Sequence, residues 1–256
     1  MEAARVAALR GHKVTLAEAN SVLGGTLLAA AKAPTRHQFG DILTWLESEI
    51  FRLGVEVQLS TYLDIDDVQN SDADAVIVAC GSLPRMDGVM ASHPGQPIKG
   101  VDRSNVLNAF DLFMSPPGDL GKSAVVFDDV GHYEALGAAE FLINRGLSVT
   151  YVTRLREFAP AMQPTSMNEP FLIRMAGKPF NYKIRMRMLA IEDGAVVVGP
   201  AHLRSANLPP TDNRSKPGTS KRHCGPNCVT LNRRHDQENR SRYVAHRRRP
   251  VEPYGW

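Results

Sequence analysis

The chain has 256 residues, of which 43% are hydrophobic and 22% charged, so it can bury a core of ordinary globular size. Residues 201–256 hold twelve Lys and Arg against four Asp and Glu, a net charge of +8. The whole chain carries only +3, which leaves −5 on residues 1–200. The composition therefore predicts a mildly acidic body with a basic tail.

Composition also argues against secretion and membrane insertion. Cys80, Cys224 and Cys228 are too few for a disulfide framework, which favours a reducing compartment. No apolar run is long enough to span a bilayer. The N-terminus has neither the basic start nor the cleavage pattern of a secretion signal. We expect a cytoplasmic protein with no membrane partner.

The first half of the body alternates helical and extended patterns. Apolar residues of 35–53 recur at helical spacing until Gly54. Residues 73–81 form a continuous apolar run, typical of a strand buried on both faces. The predicted helices are 2–11, 35–53 and 104–114, and the predicted strands are 13–18, 55–59 and 73–81.

The same pattern restarts after Pro116-Pro117-Gly118. Strands are predicted at 123–127 and 147–153, a helix at 131–145, and a hairpin of 184–191 with 194–198. We predict an α/β fold of tandem Rossmann-like units with parallel sheets, incomplete at the N-terminus. The expected domains are 1–117, 118–200 and a tail at 201–256. Residues 201–256 contain many residues that interrupt helices and strands and few large apolar ones, which predicts a disordered tail.

The segment from Gly11 to Thr26 contains the strongest functional pattern. It predicts a helix end, a buried strand, Glu18 at the strand tip, and a turn with Gly24 and Gly25. A carboxylate at that position can accept both ribose hydroxyls of an adenosine. The alternative for Glu18 is a solvated surface carboxylate. Gly24 and Gly25 either allow the diphosphate of a cofactor to approach the backbone closely or form an ordinary strand-to-helix turn.

Residues 1–200 resemble the nucleotide-binding region of the NADH:flavin oxidoreductase group, which includes 2,4-dienoyl-CoA reductase and trimethylamine dehydrogenase. The matching segments are 11–18, 23–25, the helix near Trp45, 75–85 and 131–140.

The resemblance implies an FAD-binding unit followed by an NAD(P)-binding unit. It implies FAD, or its ADP moiety, as the cofactor and an adenine-containing dinucleotide as the partner. The residues it assigns to cofactor binding are Glu18, Ala19, Asn20, Gly24, Gly25, Cys80, Gly81 and Arg85.

Full-length members of the group place a flavin-bearing barrel before this region, with FMN and iron–sulfur cysteines. That barrel, its iron–sulfur cluster and the first glycine-rich loop have no counterpart in the sequence. We therefore expect a truncated chain that lacks full activity by itself and self-associates through uncovered apolar surface.

The second phosphate loop falls on Asp128–Gly137, where the glycine spacing is wrong for G-x-G-x-x-G. Asp128 and Asp129 would repel a pyrophosphate and favour a turn with acidic capping. Arg154 could meet a 2′-phosphate, but the loop beside it is poor. We predict weak or absent NADPH binding.

Other candidates have simple alternatives. Cys80, a lone thiol in an apolar run, is explained as a small buried hydrophobe. His223, Cys224, Cys228 and His235 have zinc-like spacing but no folded frame, so chance is favoured and no metal site is predicted. The arginines at 247–249 attract polyanions without specific nucleic-acid recognition.

The sequence thus favours an FAD-dependent oxidoreductase that passes electrons from a reduced pyridine nucleotide through flavin. Its alternatives are a non-catalytic adenine-nucleotide-binding or assembly module and an inactive remnant. No hydrolytic motif is present, so any redox chemistry would be that of the bound cofactor and no catalytic residue is assigned.

Overall fold

The computed structural model describes residues 1–91 and 94–202, together with the backbone of two later strands, Asn227–Leu231 and Tyr243–Arg247. By its internal contacts the chain divides into two units. Unit 1 comprises residues 1–83 with 235–256, and unit 2 comprises 84–234. The boundary expected at 117/118 thus falls inside unit 2.

Unit 1 is an α/β unit around a four-stranded sheet in the order β2-β1-β11-β3. Its helices are α1 (Glu2–Leu9), α2 (Thr26–Lys32), α3 (Phe39–Arg52) and α4 (Ile65–Gln69). Its strands are β1 (Lys13–Ala17), β2 (Glu56–Gln58), β3 (Ala75–Val78) and β11 (Tyr243–Arg247). β1 and β2 are parallel, whereas β11 runs antiparallel to both of its neighbours.

The core of unit 1 lies where α1 and α3 cover the sheet. Its buried side chains include Ala4, Val14, Leu16, Leu23 and Ile50. The long helix α3 buries Leu43 and Ile50 but leaves Trp45 half-exposed, with the Arg5 guanidinium 5.1 Å from the ring centroid.

Unit 2 contains a fully parallel five-stranded sheet in the order β4-β10-β5-β6-β7. Its strands are β4 (Val106–Leu107), β5 (Ser123–Asp128), β6 (Ser148–Thr153), β7 (Phe180–Lys183) and β10 (Asn227–Leu231). Its helices are α5 (Ala109–Met114), α6 (Tyr133–Asn144), α7 (Asn168–Met175) and a 3-10 helix at Pro160–Thr165.

An antiparallel hairpin, β8 (Met186–Glu192) with β9 (Ala195–Pro200), completes unit 2 and confirms the hairpin predicted around Gly194. Met188 and Ile191 of the hairpin pack with Val125, Phe127 and Val152 of the large sheet. This shared core ties the hairpin to the sheet.

Within the expected tail, the strands β10 and β11 each pair on both sides, whereas residues 203–226, 232–242 and 248–256 lie outside the described residues, so disorder of the tail stays a prediction. Another expectation needs correction. The run at 73–81 is not buried on both faces. Ile77 of β3 is 38% and Val78 63% exposed, so the faces of this strand are not fully covered.

Candidate functional site

Glu18 directly follows β1 and is only 3% exposed. Its backbone N–H donates to the Gln58 carbonyl, and its carbonyl accepts from the Thr61 N–H, both at 2.9 Å. These bonds extend the β1–β2 pairing beyond the strand end. The backbone of Glu18 is therefore held by the sheet rather than by a free loop.

The Glu18 side chain is oriented by the residue two positions later. Its Oε1 accepts from the Asn20 backbone N–H at 3.0 Å and from Asn20 Nδ2 at 2.7 Å. Asn20 is exposed, and its carbonyl accepts from the Ser60 N–H at 2.9 Å. The result is a carboxylate of fixed orientation at the carboxyl end of a parallel strand, next to a loop that reaches the surface.

The glycine pair lies on the same loop, at the start of α2. Gly24 has a φ of +115° and Gly25 a φ of +53°, so both use backbone conformations that favour glycine. A Cβ at Gly24 would lie 3.0 Å from atoms of Leu28 and Leu43. Helix packing thus explains Gly24, which supports the ordinary-turn interpretation at that position.

The remaining predicted site residues follow β3. Cys80 is half-buried and carries a free thiol, and Gly81 has a φ of +69° with open space around it. Arg85 belongs to unit 2, where its Nε donates to Asp87 Oδ1 at 2.9 Å and Oδ2 at 3.0 Å. This partner holds the pKa of Asp87 below its ordinary value. The guanidinium thus already has a local carboxylate partner.

The turn after β5 is built around Asp128, which is 1% exposed. Its Oδ1 accepts from the Val130 N–H at 2.9 Å and the Gly131 N–H at 2.8 Å, and its Oδ2 accepts from the Tyr151 hydroxyl. Burial raises the pKa of Asp128, against the opposing effect of these hydrogen bonds. Burial and the Asp128 charge also raise the pKa of Tyr151.

Asp128 therefore caps the turn before α6, not the helix itself. The helix N-cap is His132, and no side-chain hydrogen bond caps it. The acidic residues were correctly predicted to act locally, but the Tyr151 partner was missed. The Asp-x-x-Gly sequence after a strand was the available signal for such a turn.

The Asp129 carboxylate also has partners within the chain. It forms an ion pair with Arg154, and its Oδ2 accepts from the Ala91 N–H at 2.8 Å. Arg154 Nη2 also lies 3.5 Å from the Asp129 carbonyl oxygen. The arginine considered for a 2′-phosphate is thus bound to a buried carboxylate of its own unit.

The tail candidates lie largely outside the described residues. His223, Cys224, His235, Arg248 and Arg249 are beyond them, and Cys228 and Arg247 are described as backbone within β10 and β11. In the described part of the chain, no three His, Cys, Asp or Glu residues are grouped as metal ligands. Nor does any helix there have the length and apolar character needed to cross a bilayer.

Comparison with known proteins finds homologous oxidoreductases. A probable N-methylproline demethylase from Rhizobium meliloti is 32% identical over 194 residues, or 75% of this chain and 26% of the relative. A multifunctional alkene reductase/demethylase from Caballeronia cordobensis is 37% identical over 150 residues, or 59% of this chain and 20% of the relative. The homologues of this chain are NADH:flavin oxidoreductases of the old yellow enzyme and dienoyl-CoA reductase type.

The chain is also similar to part of a solved structure. The 6-hydroxypseudooxynicotine amine oxidase from Pseudomonas geniculata N1 matches with a TM-score of 0.71 and 29% identity, over 78% of this chain and 30% of that one. No protein-family profile matches the chain. The chain spans between about a fifth and a quarter of the length of these curated relatives.

Proposed function

We propose that this chain provides the adenine-nucleotide-binding region of a flavin-dependent oxidoreductase. In this proposal unit 1 and unit 2 are tandem Rossmann-like units, and Glu18 of unit 1 accepts the ribose hydroxyls of FAD or of its ADP moiety. The bound flavin would supply electron transfer from a reduced pyridine nucleotide. The chain supplies the binding and orientation of the adenosine end.

The observation that carries the proposal is the position of the Glu18 carboxylate. It is buried at the carboxyl end of a parallel strand, where open α/β sheets bind nucleotides. Its orientation is fixed by two hydrogen bonds from Asn20. A fixed carboxylate loses little freedom when a ribose diol binds, so it fits an adenosine better than a mobile surface Glu would.

The other proposed ligands contribute backbone rather than side-chain chemistry. Ala19 and Asn20 line the loop beside Glu18, and Gly25 begins α2 with a positive φ. Gly24 and Gly81 allow the chain to turn without a side chain, and Cys80 precedes Gly81. Arg85 stays a separate prediction, because it belongs to unit 2 and its guanidinium already pairs with Asp87.

The test is retention of flavin. The full chain is incubated with FAD, passed through gel filtration, and its absorbance is recorded between about 300 and 550 nm. Glu18→Gln removes the charge while keeping an acceptor for Asn20. Glu47→Gln makes the same change at an exposed position of α3 and is the matched control.

We expect flavin to remain with the wild type and with Glu47→Gln, and to be lost from Glu18→Gln. Equal retention by all three proteins would contradict the role of Glu18. Binding of ADP without flavin would favour the non-catalytic nucleotide-binding module instead.

Two further predictions accompany the proposal. A cytoplasmic location follows from the sparse cysteines and stays a prediction. Self-association is expected because large apolar side chains of unit 1 are about half-exposed, among them Ile42, Trp45 and Phe51. Light scattering tests this, and a stable monomer would contradict it.

A further inference from the structure

The β5–α6 turn of unit 2 stands where a phosphate-binding turn would lie, but two of its backbone donors are already used. In dinucleotide-binding crossovers, the N–H groups between the first strand and its helix bind the pyrophosphate. Here the Val130 and Gly131 N–H groups both donate to Asp128 Oδ1, at 2.9 and 2.8 Å. A carboxylate of the chain therefore occupies the donors that a phosphate would need.

Asp128 is held in this place from its other side. Its Oδ2 accepts a hydrogen bond from the Tyr151 hydroxyl, and both side chains are buried. Tyr151 lies on β6, the strand next to β5, so the sheet itself fixes the hydroxyl. Turning Asp128 outward would leave the tyrosine hydroxyl and two N–H groups without their partner.

The approach to the turn is also filled by the chain. A Cβ added at Gly131 would lie 2.7 Å from Leu155 Cδ1 and from Pro160 Cδ. The Ala161 N–H donates to the Gly131 carbonyl at 3.0 Å. A glycine at such a turn usually leaves space for a ligand to approach the backbone. At Gly131 the segment after β6 occupies that space.

We infer that Asp128 occupies the backbone donors of the β5–α6 turn and thereby excludes phosphate-bearing ligands from it. Asp129 reinforces the exclusion, because it adds a second buried carboxylate beside the same turn and draws Arg154 to itself. Unit 2 is therefore a structural unit rather than a second dinucleotide site. This inference concerns unit 2 alone and does not depend on nucleotide binding at Glu18.

The test follows the two backbone amides directly. The isotope-labelled full chain is titrated with inorganic pyrophosphate and, separately, with NADPH, while NMR records the Val130 and Gly131 amide resonances. Up to about 5 mM ligand, we expect no saturable shift at either amide. Saturable shifts at both amides would overturn the inference.

A double variant, Asp128→Ala with Tyr151→Phe, frees the two N–H groups without leaving the tyrosine hydroxyl unpaired. We expect pyrophosphate to shift both amides of this variant at about millimolar concentration. If the variant folds and still shows no shift, the segment after β6 closes the turn by itself, and the inference that Asp128 is the excluding group is overturned. Asp119→Ala, which removes an exposed turn carboxylate, is the control.

A single variant covers the case in which the double variant does not fold. Asp128→Asn removes the charge but keeps an oxygen that accepts from Val130 and Gly131. It should therefore remain closed to pyrophosphate. Binding by this variant would show that charge alone closes the turn, and would overturn the assignment to occupied donors.

Discussion

Glu18 of unit 1 and Asp128 of unit 2 are both buried carboxylates at the end of a parallel strand, yet different donors surround them. Asn20, an exposed neighbour on the same loop, donates two hydrogen bonds to Glu18, from its backbone N–H and from Nδ2. Asp128 binds two turn N–H groups and the buried Tyr151 hydroxyl. The comparison teaches that a strand-end carboxylate becomes either a ligand group or a structural group according to the donors that its own turn supplies. Changes at Asp128 should therefore affect stability, and changes at Glu18 should affect binding.

The largest effect is expected for Asp128→Ala. The substitution leaves two N–H groups and the Tyr151 hydroxyl without their partner in a buried site. Each unsatisfied buried group costs on the order of 1–3 kcal/mol, so we expect the free energy of unfolding to fall by about 4 kcal/mol. Urea unfolding measures the change.

The control for that experiment is Asp119→Ala. Asp119 is exposed and accepts one hydrogen bond, from the Gly121 N–H at 2.7 Å. Water can replace this acceptor, so the loss should stay below about 1 kcal/mol. Equal losses at the two positions would remove the distinction between a structural and a surface carboxylate.

The glycines of the two turns should respond in the same order. Gly131→Ala brings a Cβ within 2.7 Å of Leu155 and Pro160 at a φ of +77°, and we expect a loss of about 2–3 kcal/mol. Gly24→Ala is also strained, at a φ of +115°, but the two leucine side chains that it meets at 3.0 Å can move, so about 1–2 kcal/mol is expected. Gly118→Ala has open space and is the control. Thermal unfolding ranks the three variants, and a larger loss at Gly24 than at Gly131 would contradict the comparison.

A binding effect of smaller size is expected for Asn20→Ala. The backbone N–H of residue 20 still donates to Glu18, but the Nδ2 donor at 2.7 Å is lost. We expect ADP affinity to fall about threefold, or ~0.7 kcal/mol, while stability changes little. Calorimetry checks this against Asn70→Ala, an exposed amide at the end of α4. Unchanged ADP affinity in a variant that binds ADP would show that Asn20 does not position Glu18.

The sequence predicted the positions of helices and strands better than it predicted which of their residues are buried. The pattern of 131–145 predicts α6 within two residues, and the apolar runs on either side predict β5 and β6, because periodicity is a local property. The exposure of β3 could not be predicted in this way, since it depends on which distant residues pack on the two faces of the strand. The region at 104–114 was expected as one helix, but Asn108 caps α5 and separates it from the short strand β4.

The same distinction between local and long-range contacts applies to the candidate site. The position of Glu18 after β1 follows from the sequence, because strand and carboxylate are adjacent in the chain. The closure of the second turn does not, because Tyr151 lies 23 residues from Asp128 and meets it only through the β5–β6 pairing. Long-range partners of this kind decide whether a carboxylate is available to a ligand.

The subtlest effect concerns the charge of Asp128. Burial raises the pKa of this carboxyl in the folded protein above its ordinary value of 3.8, so the folded state binds the proton more tightly than the unfolded state does. The contribution of Asp128 to stability is therefore greatest below the ordinary value and declines as the pH rises towards the folded-state pKa. Asp128→Asn has no such titration and keeps an acceptor for the two N–H groups.

The stability difference between Asp128→Asn and the wild type should therefore shift in favour of the variant between about pH 4 and pH 7. Asp119→Asn removes an exposed carboxylate and corrects for the change in overall charge. Urea unfolding at both pH values measures the difference. A difference that stays constant, or that shifts towards the wild type, would mean that the hydrogen bonds from Val130, Gly131 and Tyr151 outweigh burial. Asp128 would then resemble a ligand-ready carboxylate more closely than its burial suggests.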